Sequence, residues 1–164
     1  MKAYHFYVIF LLLGSISASA TDVVTAKVVS VIDGNTIEIQ TEGNSTQRVV
    51  IAGIDCPELT QEFGNEARQF VEDLILQKQI MVRIVGKDRK GNYLGVVMID
   101  DVDIRMQLLQ EGLAWTSEKD PVAELESIRT SAQQQNKGLW KSEKPTAPWI
   151  HRRQQSMMQP KSSS

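Results

Sequence analysis

Asp33-Gly34-Asn35 separates two apolar, alternating runs, and Asp55-Cys56-Pro57-Glu58 follows a third, with its two carboxylates three residues apart. Tight turns at strand ends present their side-chain oxygens at one end of a sheet. Asp33, Asn35, Asp55 and Glu58 can thus be gathered as carboxylate and amide oxygens, the donor type that suits a hard divalent cation. Alone, Asp33-Gly34-Asn35 is most simply a hairpin turn, with Gly34 supplying a positive φ. Glu58 after Pro57 equally suits a charge at a helix N-terminus or a network partner. Cys56 is the only cysteine. It reads as a small half-buried residue, since no histidine lies near it in sequence to activate a thiolate. A lone cysteine excludes an internal disulfide and any multi-cysteine zinc site.

The elements that must hold these turns follow from periodicity. Val23 to Val31 is β-branched and half alternating, Thr36 to Gln40 alternates with Ile37 and Ile39 inward, and Thr46 to Ile54 carries Val49-Val50-Ile51. Each reads as a strand, and short turns join them into a meander. Asn65 to Lys78 places Ala67, Phe70, Val71, Leu74 and Ile75 on one helical face. Strands are expected over Gln79–Val85 and Tyr93–Ile99, joined by the charged turn Lys87 to Asn92. A second helix is expected from Ile104 to Glu111, capped by Gly112, and a third from near Pro121 to Gly138. Five short antiparallel strands with a helix between the third and fourth give an α+β chain, a five-stranded OB-fold barrel with three helices.

Residues 1–20 read as a signal peptide: Lys2, the apolar run Phe6 to Leu13, and Ala18-Ser19-Ala20 before Thr21. The apolar run is too short to cross about 30 Å of hydrocarbon as a helix. The expectation is an exported protein, periplasmic or secreted, with one domain over 21–153 and a polar, disordered tail over 154–164. Its 18 Lys and Arg against 20 Asp and Glu give a net charge of −2, so nucleic acid is not attracted globally and would need a local basic patch. Trp115, Trp140 and Trp149 read as packing residues at helix ends, and His151 as solvated or a partner of Trp149. Arg152-Arg153 could favour phosphates but reads more simply as a pair that keeps a tail soluble.

Val31-Ile32-Asp33-Gly34-Asn35-Thr36, Ile51-Ala52-Gly53-Ile54-Asp55-Cys56-Pro57-Glu58 and Phe63-Gly64-Asn65-Glu66-Ala67 recur as motifs in the staphylococcal nuclease (thermonuclease) family, which this chain resembles. So do Asp88-Arg89-Lys90-Gly91-Asn92, Leu109-Gln110-Glu111-Gly112-Leu113-Ala114-Trp115 and Gly138-Leu139-Trp140; Pro148-Trp149 with Arg152-Arg153 is similar to bacterial tails. The likeness runs from residue 23 to residue 153. It implies calcium-dependent hydrolysis of DNA and RNA phosphodiesters by a monomer. The family's metal ligands fall on Asp33, Asn35, Asp55 and, through its backbone carbonyl, Cys56. The carboxylate that orients the attacking water falls on Glu58.

The resemblance also exposes departures. An aspartate ligand of the family is Asn35 here, its strand-three arginine is Val50, its loop arginine is Asn92, and its loop tyrosine is Lys90. The tyrosines that follow the second helix are absent from Thr116-Ser117-Glu118-Lys119. One preorganised cationic donor is worth about 10²–10³ in rate, and a base-stacking aromatic about 1–3 kcal/mol. Arg48 and Arg89 are the candidate substitute clamps: Arg48 shares a strand face with Val50, and Arg89 lies in the same loop as Asn92. The expectation is a nuclease fold whose activity is weak or lost. The alternative is a non-catalytic module that binds an oligosaccharide, a peptide or an envelope protein.

Overall fold

The computed structural model describes residues 22–158. The expected signal peptide lies outside them. Five strands close into a barrel: β1 (Val23–Asp33), β2 (Thr36–Gln40), β3 (Thr46–Ile51), β5 (Gln79–Lys87) and β6 (Tyr93–Ile99), in the order β3-β2-β1-β5-β6. Neighbours in that order are antiparallel, and closure comes from a parallel pairing of β3 with β6, Val49 opposite Tyr93 and Ile51 opposite Gly95. Closure removes the sheet edges that would otherwise invite pairing with another chain. The α+β barrel expected from periodicity is therefore the observed architecture. Alternation on β2 fills the interior with Ile37 and Ile39, which meet Val28, Val49, Ile51, Val82 and Val97, all buried.

Helix α1 (Gly64–Ile75) closes one side of the barrel with Ala67, Val71 and Ile75. Helix α2 (Ile104–Gln110) adds Ile104, Leu108 and Leu109, and Gly112 follows it at φ 67° as the expected cap. Helix α3 (Ala123–Gln134) buries Leu125 and Ala132. It stops four residues short of Gly138, which instead opens a single 3₁₀ turn, Gly138–Lys141.

Four expectations need correction. The third strand does not run to Ile54: it breaks at Ala52-Gly53, where Gly53 has φ 81°. The chain then re-forms as β4 (Ile54–Asp55), which leaves the barrel and pairs with β8 (Trp115–Thr116); a third two-residue strand, β7 (Val102–Asp103), folds back antiparallel onto the end of β6. The polar segment from Gln154 is not without structure, since a fourth helix, α4 (Pro148–Met158), includes it as far as the described residues extend. Proline is pre-set for the first helical position, so Pro148 opens α4 although its sequence has little apolar periodicity. Cys56 is fully rather than half buried, 2% exposed.

The fourth correction concerns Gly34, which is absent from the positive-φ glycines. A Cβ there would lie 2.7 Å from Cys56 Cβ and 2.8 Å from Ala67 Cβ. Glycine is required because the Asp33–Thr36 turn presses against both the β4 loop and α1. Gly34→Ala is expected to destabilise the protein by about 1–3 kcal/mol through overpacking. Gly43→Ala, where nothing lies within 4 Å, should stay within about 0.5 kcal/mol of wild type. Urea unfolding of both variants checks the contrast.

Candidate active site

Asn35 joins the two turns. Its backbone N–H donates to Asp33 Oδ1 (2.9 Å), its carbonyl accepts from Ile51 N–H (2.8 Å), and its side-chain Oδ1 accepts from Cys56 N–H (3.1 Å). The first bond orients the Asp33 carboxylate. The other two tie the β1–β2 turn to both ends of the β3–β4 break. The position expected to supply a metal ligand thus spends its side-chain oxygen on the Cys56 amide. Cys56 itself is inert: burial pushes its thiol well above the ordinary range, with Asp33 and Asp55 adding in the same direction.

Asp55 is positioned by the β4–β8 ladder, where it faces Trp115. Upstream, the Ala52 carbonyl accepts from Arg105 Nη1 at 3.3 Å, and Arg105 is forked onto Asp103, the cap of α2. Glu58 begins a tight turn in which its N–H donates to Gln61 Oε1 (2.9 Å) and its carbonyl accepts from Gln61 N–H (2.8 Å). Burial raises the carboxyls of Asp33 and Asp55 above the ordinary aspartate value. For Asp33, hydrogen bonds from Asn35 and Thr36 oppose that shift and the Glu58 charge adds to it; for Asp55, Arg152 opposes it and Glu58 and Asp33 add. Glu58 therefore bears electrostatically on both aspartates.

The cation that meets them is Arg152 on α4. Its Nη2 donates to Asp55 Oδ2 at 2.6 Å, and its Nη1 donates to Asp55 Oδ1 at 3.1 Å and to Glu58 Oε1 at 2.7 Å. This fork on one carboxylate, with a second carboxylate sharing Nη1, is the strong class of charge-assisted pairing. It holds the guanidinium more firmly protonated than usual, the Asp55 hydrogen bond first among the causes. Arg153 pairs with Glu118 at 2.8 Å, and His151 Nε2 lies 3.0 Å from Thr60 Oγ1. The sequence read Arg152 as a soluble tail residue or a phosphate contact, not as a partner of Asp55; the available signal was its spacing from Pro148-Trp149, which puts Trp149 and Arg152 on one helical face.

Arg48 and Arg89 are not brought onto these carboxylates. Arg48 lies opposite Glu38 on the outer face of β2–β3 and bonds it at 3.0 Å. Arg89 is exposed at the tip of the β5–β6 loop. That loop is closed by Asp88, whose carboxylate accepts from Lys90 N–H, Asn92 N–H and the Asn92 side-chain amide at 2.8–3.0 Å. Asn92 is thereby committed to its loop, and the Asn92 bond is the main reason that the Asp88 carboxyl lies below its ordinary value. The tryptophans pack as expected: Trp115 stands edge-on to both Trp140, centroids 4.6 Å apart, and Trp149, 5.7 Å apart.

The divalent ion implied by the resemblance does not fit this arrangement. Asp55 and Glu58 are paired to a guanidinium, Asn35 Oδ1 already accepts one hydrogen bond, and among the described residues no group of three acidic, histidine or cysteine side chains has the geometry to hold an ion.

Two stability measurements follow. Asn35→Ala strands the Cys56 amide and should cost about 1–3 kcal/mol in urea unfolding. Asp33 behaves oppositely. Its carboxyl is raised in the fold, so its contribution is favourable below the ordinary value of 3.8 and is lost as pH rises through the folded value. Asp33→Asn should therefore be more stable than wild type at pH 7, with the gain shrinking to nothing as pH falls below that ordinary value.

Comparison with known proteins identifies the chain's relatives. The family model described as staphylococcal nuclease homologue matches residues 48–142, a span that contains Asp55, Glu58 and positions 50 and 92. A protein named uncharacterized endonuclease from Haemophilus influenzae is 32% identical over 145 residues, covering 87% of this chain and 80% of its own length. A second of that name from Escherichia coli is 34% identical over 130 residues, covering 77% and 83%. A micrococcal nuclease from Shigella flexneri is 34% identical over 139 residues, covering 77% and 79%. With a barrel of the expected topology, a family match across more than half its length and relatives aligned over most of theirs, this chain belongs to the staphylococcal nuclease homologue family.

Proposed function

We propose that this chain is an exported nuclease-fold domain in which calcium-assisted hydrolysis of nucleic-acid phosphodiesters is weak or lost. The observation that carries the reading is the pairing of Arg152 with both Asp55 and Glu58. Glu58, the carboxylate that would orient water, has its Oε1 held by a guanidinium rather than turned to a water. A cation site must keep its oxygens free, and Asp55 gives both of its own. Positions 50 and 92 hold Val50, which faces Thr36 and Leu94 across the strands, and an asparagine committed to its loop. Neither can neutralise charge developing on a phosphorane.

A second reading, a non-catalytic binding module, is favoured by a groove on the barrel. It is lined by Gln47, Arg48, Lys87, Gly91, Asn92 and Tyr93, with Lys87 Nζ 4.7 Å from the centre of the Tyr93 ring. Two cations beside an aromatic face suit an anionic oligomer such as single-stranded nucleic acid. Binding there would weaken with salt as phosphate counterions are retained.

The purified protein is tested on DNA and RNA with millimolar calcium and with chelator. The expected rate lies at least about 10²-fold below that of a family member that keeps a clamping arginine. Brisk calcium-dependent degradation that disappears in Glu58→Ala overturns the reading. Retention of a labelled oligonucleotide without cleavage supports the second one. Export is checked by N-terminal sequencing of the protein recovered from expressing cells, which should read Thr21 first.

A further inference from the structure

We propose that the open mouth of the barrel, at the end away from the acidic turns, binds a small amphipathic carboxylate, its alkyl tail among the strands and its head group on Lys87. Val24 and Asp33 stand towards opposite ends of β1, so this site shares no residue with the acidic one. Strand register gathers the lining. Ile39 lies opposite Gln47 across β2–β3, Lys87 opposite Tyr93 across β5–β6, and Tyr93 pairs with Val49 at the closure. Helix α1 sits nearer the other end, where Ala67 lies against Gly34 and Gln77, just beyond the helix, donates to the Val28 carbonyl. The mouth is left as a cavity of about 230 Å³ walled by Val23, Val24, Ile39, Ile84 and the Tyr93 ring. Barrel mouths are among the places where ligand pockets most often form.

The rim sets the charge of the ligand. A second hollow of about 280 Å³, carrying Arg48 and Lys87, adjoins the first through Gln47 and Tyr93, which line both. Lys87 Nζ stands 4.7 Å from the centre of the Tyr93 ring, so the ammonium is held at the lip where the two hollows meet. Among the described residues it has no salt-bridge partner, whereas Arg48 is tied to Glu38 at 3.0 Å. Gln47 adds an amide that can donate to the same head group. Asp22 and Thr41 complete the rim, and Asp22 is its one acid. A free cation beside an aliphatic cavity matches a monoanion with a single tail, such as a medium-chain fatty acid. A nucleobase would press its ring nitrogens and exocyclic groups against aliphatic walls, where unmade hydrogen bonds are costly. The proposal rests on the non-catalytic binding reading and puts a different ligand in its groove.

Calorimetric titration of the full chain with hexanoate, octanoate, decanoate and 1-octanol tests this. Affinity should rise about fourfold for each added methylene as the tail fills the cavity. Octanol, which lacks the charge, should bind about fivefold more weakly than octanoate. Lys87→Gln should lower octanoate to the level of octanol, with an unchanged urea midpoint showing that the variant is folded. Asp22→Asn should tighten octanoate about twofold by removing a like charge. Backbone amide shifts on adding octanoate should centre on residues 23, 24, 39, 84 and 93. No binding at millimolar octanoate, equal octanoate affinity in Lys87→Gln, or shifts centred on Asp33 and Asp55 overturns the proposal. A labelled oligonucleotide is titrated alongside. Its retention without octanoate binding keeps the binding reading and removes this ligand from it, whereas loss of both removes the binding reading as well.

Discussion

Three hydrogen bonds through one asparagine hold the two halves of the site together. Asn35 uses its N–H, its carbonyl and its side-chain oxygen on Asp33, Ile51 and Cys56 respectively. The β1–β2 turn cannot drift from the β3–β4 break while these bonds stand, and Gly34 sits close enough to Cys56 and Ala67 that not even a methyl group fits between them. Everything placed downstream inherits this constraint, because Asp55 and Glu58 leave the barrel directly after it.

The constraint gathers like charge in a partly buried place. Desolvation raises both Asp33 and Asp55, the Glu58 charge adds to both shifts, and Asp33 adds to that of Asp55. Carboxyls gathered and desolvated in one place are more often found at functional sites than in a core built for packing alone. Here the cluster is answered from within the chain. The guanidinium of Arg152 meets two of the three carboxylates, and it arrives on a helix with almost no core of its own.

Family membership and site chemistry point in different directions, and the difference has a location. The frame is the family's: a closed barrel, α1 and α2 packed against it, and the family match running through β3 to the 3₁₀ turn. The departures sit at positions that would touch a phosphate. Val50 pairs with Leu94 at the β3–β6 closure and Asn92 sits in the loop just before β6, and neither belongs to the buried core. Barrel packing and phosphate chemistry use different residues, so one can persist while the other alters.

Local signals in the sequence determined much of this protein. Period-two alternation on β2 and β3, the three-and-four spacing on α1 and the glycine after α2 depend on near neighbours, so strands, most helices and barrel order were legible; that positions 50 and 92 lack arginines came only from the family resemblance. The tertiary structure alone decided what the side chains do. Asn35 looked like an ion ligand until its oxygen met an amide 21 residues away. Gly34 looked like a turn residue chosen for its φ until two side chains from other elements closed over it. Arg152 looked like tail solubility until the chain brought it to an aspartate 97 residues away. The physical reason is common to all three. A hydrogen bond, a close contact or an ion pair depends on what stands opposite, and periodicity along a chain carries no record of a distant partner.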